Sequence, residues 1–196
     1  MSPSPWDFTN RLLYDVCRHH PAHMDDDVIV AKVMLIGRAY AAAIERGSRH
    51  PGLTSERFYI KTVAPKIKRS DIDTCIAEAR QARAGDAETL RIVIEVHAKT
   101  TKLFQKISTL QKRSLASKYL HFHLPEHFYI FDSRAQEAIR AFSRILPRAS
   151  KWSGSSVDPD YRKFSEKCFH LTNYCAERFG LRPLPRQLDN LLIYGL

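Results

Sequence analysis

Residues 113–134, RSLASKYLHFHLPEHFYIFDSR, gather a lysine, three histidines, a proline-broken turn and an aspartate ahead of a periodic apolar run. Residues 114–123 hold neither glycine nor proline and read as a helix. Pro125 stops it, because a proline drives the preceding residue out of the helical region. From Lys118 to His123 the helix advances only about 7–8 Å, whereas the chain from His123 to Asp132 can reach back up to roughly 30 Å if extended. Asp132 is therefore free to return opposite Lys118. It also precedes Ala135, Ala138, Ile139, Phe142 and Ile145, which share one side of a second predicted helix, and an aspartate in that position is a favoured N-cap. The pattern sets a lysine on one helix against a carboxylate at the mouth of the next.

Outward from this stretch every confident signal is helical, and the expected fold class is all-α. Residues 6–18 read as a helix, followed by His19-His20-Pro21-Ala22-His23. Asp25-Asp26-Asp27 place negative charge where a helix dipole favours it, at the start of a helix predicted over 26–46. That segment is apolar nearly all round, which predicts a buried central helix carrying a buried Arg38. A buried arginine needs a carboxylate, a phosphate or carbonyls, so Arg38 is both a structural ion-pair candidate and a candidate substrate contact. Gly47 to Gly52 form a loop. Further helices are predicted from Thr54 or Ser55 to Val63, closed by Pro65, from Ser70 to Arg83, with Gly85 beyond, and from Asp86 to Ile107. His97 lies on the apolar side of the last of these and is expected in the core. Arg148 to Ser156 read as an exposed basic loop in which Trp152 is a candidate stacking residue for nucleic acid. Asp158-Pro159 start a helix that Gly180 ends, and residues 185–194 form a last one.

The chain of 196 residues carries a formal net charge of +10, which favours a polyanionic partner, since each lysine or arginine set against a phosphate releases counterions. Its length suits a single domain over 1–196 with two helical lobes around one cleft. No run of apolar residues is long enough to span a membrane, and the start MSPSPWDF lacks a signal-peptide pattern, so a cytoplasmic protein is expected. Cys17, Cys75, Cys168 and Cys175 form no short-spaced pair and are expected as core thiols. His121, His123 and His127 have a loose metal-ligand spacing, but His121 and His123 would point about 200° apart on a helix. No metal and no cofactor is expected.

Ser117-Lys118, His121-Phe122-His123, Pro125, Phe128 and Ile130-Phe131-Asp132-Ser133-Arg134 together resemble the helix-hairpin-helix DNA glycosylases. The resemblance is closest to the compact 8-oxoguanine DNA glycosylase-like group, some of whose members are encoded in bacterial anti-phage operons. Weaker echoes lie at Ile36-Gly37-Arg38-Ala39-Tyr40, at Ile44-Glu45-Arg46 and at Pro185-Arg186-Gln187-Leu188-Asp189. The resemblance implies Lys118 as a nucleophile and Asp132 as its activator. It also implies nucleic acid as the partner, DNA ahead of RNA, and defence-operon proteins as further partners. Arg38, Arg113, Ser117, His121, His123, Arg134 and Trp152 are the candidate substrate- or DNA-binding residues.

Two departures are plain. Lys112-Arg113-Ser114-Leu115-Ala116-Ser117 lacks the glycines whose amides approach a DNA phosphate in the family, and only Cys168 and Cys175 lie where cluster-bearing members hold four cysteines.

The chemistry asks for specific things of the pair. A lysine attacks a sugar C1′ only as the neutral amine, so its pKa must be lowered by desolvation or by nearby cations, roles open to Leu115, Tyr119, Lys112 and Arg113. A carboxylate would stabilise the positive charge that develops on the sugar. Two other readings stand beside this one. The first is a non-catalytic module of the same fold that binds a nucleotide, a modified base or a partner protein. The second is a ribonuclease, because Arg18 and His23 resemble the R-x4-H signature of the HEPN families, although Pro21 breaks the helix that would present them.

Overall fold

Local capping chemistry places several of the helix ends. In a computed structural model, which describes residues 5–47, 53–148 and 157–194, the chain is all-helical, with no strand among the described residues. Helix α1 (Pro5–His19) leads into α2 (Asp26–Ala39), whose first amides, at Asp27 and Val28, donate to the Asp25 carboxylate. Thr54 caps α3 (Ser55–Phe58) by accepting from Arg57 N. Then come α4 (Ala64–Lys68), α5 (Ile72–Gln81), α6 (Ala87–Ser108) and α7 (Arg113–His123). Asp132 caps α8 (Ser133–Ala138), which tightens into a 3-10 turn over Ile139–Phe142. Asp158 caps α9 (Pro159–Phe179), and Gly180, at φ 67°, takes the left-handed position that ends it. Helix α10 (Pro185–Tyr194) is last.

Three sequence expectations are corrected. The helix predicted over 26–46 stops at Ala39. Beyond it the chain turns back over Gly37, with Ala41 at φ 52° and Ala42 N donating to Gly37 O at 2.7 Å. A Cβ on Gly37 would meet Ala43 Cα at 3.0 Å, so glycine permits this close crossing. Pro65 does not close its helix. Tyr59–Val63 form a π-helical turn in which Ala64 N reaches back to Tyr59 O, and the wider turn carries the chain through the proline into α4. Ile145, predicted to share a helix side with Ala135 and Ile139, is exposed where those two are buried, because the periodic run leaves the α-helical repeat at Ile139 and Leu146 is buried instead.

One connected apolar core runs from Leu13 to Leu192. Helix α7 lies within it, packed by α1, α2 and α6, and every residue from Leu115 to His123 is buried. Ser117 fastens the returning segment to this helix: its hydroxyl accepts from Phe131 N at 3.0 Å and donates to Ser114 O at 3.0 Å. That pair of bonds sets the height at which Asp132 emerges.

Candidate active site

Helix α7 directs Lys118 at a cleft of about 810 Å³, walled by α2 and its reversal, the start of α7, residues 130–136 and α10. Lys118 is 1% exposed. Its Nζ donates to Asp132 Oδ2 at 3.1 Å and to Ser114 Oγ at 2.7 Å, and lies 5.7 Å from the centre of the Tyr40 ring. The second Asp132 oxygen accepts from Ala135 N at 3.0 Å, so the capping bond and the lysine bond hold the carboxylate from both sides. The slack between His123 and Asp132 is used as the sequence allowed.

Burial lowers the Lys118 pKa from its ordinary value, against the opposing pull of Asp132. For Asp132 burial pushes upward, but Lys118 and the Ala135 amide outweigh it and leave the carboxyl below its usual range. The pair therefore combines a desolvated amine with a carboxylate that stays ionised. The cations expected to depress Lys118 are engaged elsewhere. Lys112 Nζ donates to the carbonyls of Ala43 and Arg46 at 3.2 and 2.5 Å, and Arg113 pairs with Asp158 and, at 3.5 Å, with Asp160. Tyr119 faces away from the cleft, bonded to His23. Desolvation is the main cause.

The remaining candidates separate by position. Arg113 and Arg134 line the cleft. Ser117 is fully buried and acts on the backbone as described above. Arg38 overturns its expectation of burial: its side chain is 55% exposed and meets Glu45 at 3.4 Å, outside the cleft lining. The early end of α2 explains this, since Arg38 falls in the last turn rather than at mid-helix. His121 and His123 are also corrected, from cleft residues to core residues. His121 donates from Nδ1 to Phe128 O at 2.8 Å and accepts at Nε2 from Tyr14 OH at 2.7 Å, and its burial brings the pKa down to about 4. His123 packs against His23 and Tyr119, with no partner for either ring nitrogen among the described residues. His121 is covered by α1 and the 124–131 segment, and His123 by the turn that carries His23. Trp152 lies outside the described residues. Among the described residues no group of three or more histidine, cysteine or acidic side chains is placed to hold a metal ion, and no helix is long and apolar enough to cross a membrane.

The structure adds cleft residues that spacing did not reveal. From α10, Arg186 Nη1 donates to Asp189 Oδ2 at 2.9 Å and to Tyr40 OH at 3.4 Å, and the Tyr40 hydroxyl donates to Asn10 Oδ1 at 2.5 Å. These groups come from both ends of the chain and from α2. The Arg186–Asp189 pair was visible only as a weak echo of the family pattern. The Arg18–His23 pair is not assembled, as Arg18 is exposed on Asp15 while His23 is buried against Asp73 and Tyr119. Compared with known protein families, characterised proteins and solved structures, the chain matches none of them.

Proposed function

We propose that the chain is a DNA base-excision glycosylase and abasic-site lyase of helix-hairpin-helix glycosylase type, acting on a modified purine such as 8-oxoguanine. The observation that carries this reading is the buried Lys118 amine held between Ser114 and Asp132 on the wall of a cleft large enough for a nucleotide. The base would have to leave the stack to enter it. Lys118 then attacks C1′, Asp132 stabilises the developing charge on the sugar, and the resulting Schiff base permits strand cleavage by β-elimination. The net charge of +10, with Arg46 and Arg134 along the cleft, suits a phosphate backbone, and a role in anti-phage defence follows from the family resemblance.

A second reading, a binding module of the same fold, is favoured by the turn between α6 and α7. There Lys112 is tied to two carbonyls and no glycine opens the backbone to a phosphate.

Borohydride trapping on an oligonucleotide with a preformed abasic site separates the two. The parent should form a covalent adduct and Lys118→Gln should form none, because glutamine keeps the length of the side chain but has no nucleophilic amine. A parent that binds the oligonucleotide without trapping would favour the binding module.

A further inference from the structure

Two carboxyl groups line the cleft, and their surroundings are opposite in kind. Asp132 has both oxygens bonded, to Lys118 Nζ and to Ala135 N. Asp189, only 5% exposed, accepts from Arg186 at Oδ2, while its buried Oδ1 has no hydrogen-bond partner among the described residues. A buried carboxylate oxygen with no donor is costly, and a proton on that carboxyl relieves the cost.

We propose that Asp189 is the acid that protonates the departing base, with Asp132 serving the lysine. This rests on the glycosylase reading above and deepens it. As the Lys118–C1′ bond forms, the bond from C1′ to the base nitrogen breaks and its electron pair goes to the base. The Asp189 proton moves to the base, which leaves neutral, and Asp189 becomes a carboxylate that solvent reprotonates. The proton shed by the alkylated Lys118 nitrogen passes to Asp132. Asp132 returns it to the ring oxygen as the C1′–O4′ bond opens to the Schiff base, so no oxidant or further reactant is needed.

The division of labour follows from where the two acids sit. Groups that act on Asp189 come from several elements: Arg186 on its own helix, Lys118 from α7, Asp132 ahead of α8, Tyr40 just past α2, Tyr14 from α1 and Cys168 from α9. Burial raises the carboxyl most, Arg186 and Lys118 oppose it and Asp132 adds to it, with a net rise to about 6. Two carboxyls in one site with pKa values driven apart are the arrangement expected of an acid and an ionised partner.

The test uses two oligonucleotides, one carrying 8-oxoguanine and one carrying a preformed abasic site. Trapping on the abasic site needs the neutral lysine but no departing base. Asp189→Asn should therefore slow base release by about a hundredfold while abasic trapping stays within about threefold of the parent. In the parent, the ratio of base release to abasic trapping should fall about tenfold per pH unit above about 6, since both processes use the neutral amine and only the first uses the acid. This second measurement decides the matter if Asp189→Asn fails to fold. Base release from a folded Asp189→Asn at the parent rate, or a parent ratio that ignores pH, would overturn the assignment. So would a parent that traps the abasic site but releases no base, which leaves Lys118 as the reactive amine. A parent that traps nothing overturns the glycosylase reading itself.

Discussion

Helix α7 separates two polar assemblies, each holding a buried lysine and an aspartate. On the cleft side stand Lys118, Asp132 and Asp189. On the other side, His23 donates from Nδ1 to Asp73 at 2.5 Å and accepts from the Tyr119 hydroxyl at 2.6 Å, next to His123 and the equally buried Lys32. Both lysines are 1% exposed, and burial lowers the pKa of each. They differ in partner and access. Lys118 has a carboxylate and a cleft, whereas Lys32 Nζ has a single carbonyl, that of Ala22 at 3.4 Å, and is not among the cleft residues. A perturbed amine becomes a candidate nucleophile only where a substrate can reach it, and the second assembly reads as an anchor that fixes α7 against α2 and α5.

Acid should destabilise the fold through its buried histidines. His97 and His121 are held neutral by burial, with pKa values brought down to about 4, and His23 and His123 are lowered as well. Below about pH 6.5 the unfolded chain binds protons that the folded chain refuses, so stability is lost as the pH falls from there towards 4. At pH 5 the loss for His97 and His121 is on the order of 2 kcal/mol each. Asp189, with its raised pKa, works the other way by about 1 kcal/mol. Urea unfolding at pH 7.5 and pH 5 should show a net loss of about 3 kcal/mol, and an unmoved midpoint would mean that these histidines are open to protons in the folded chain.

Replacing the lysines sharpens the contrast at a smaller scale. Lys32→Met removes a buried amine whose pKa is lowered by the fold and keeps most of its volume. It should raise stability at pH 7 by about 1 kcal/mol and leave abasic-site trapping unchanged. Equal loss of trapping in Lys32→Met and Lys118→Gln would erase the distinction between the two sides. The smallest effect is expected at Arg38. Its exposed contact with Glu45 predicts that Arg38→Ala changes stability by less than about 0.5 kcal/mol and leaves oligonucleotide affinity as it was.

The parts of this architecture legible in the sequence are those fixed by neighbours in the chain. Thr54, Asp132, Asp158 and Gly180 each act on residues within one turn, and each stands where its residue type announced it. The return of Asp132 to Lys118 was also readable, because it needed only chain length and a cap. What distance in sequence hid was the far wall of the cleft. Asn10, Tyr40 and Arg186 meet through hydrogen bonds between residues 30 and 146 positions apart, and nothing local to any of them signals it. The end of α2 at Ala39 was hidden likewise, since the chain reverses there through a close contact over Gly37 in a run of alanines that would otherwise extend a helix. His121 and His123 entered the candidate set with the family resemblance, while their burial is decided by segments distant in sequence, α1 for His121 and the turn at His23 for His123.

Lys118 is the proposed nucleophile because it combines desolvation with access. The most direct measurement is mass spectrometry of proteolytic fragments from parent protein trapped with borohydride on an abasic-site oligonucleotide. The sugar adduct should fall on Lys118 alone; an adduct on Lys32 or Lys112, or no adduct on any lysine, would overturn Lys118 as the nucleophile.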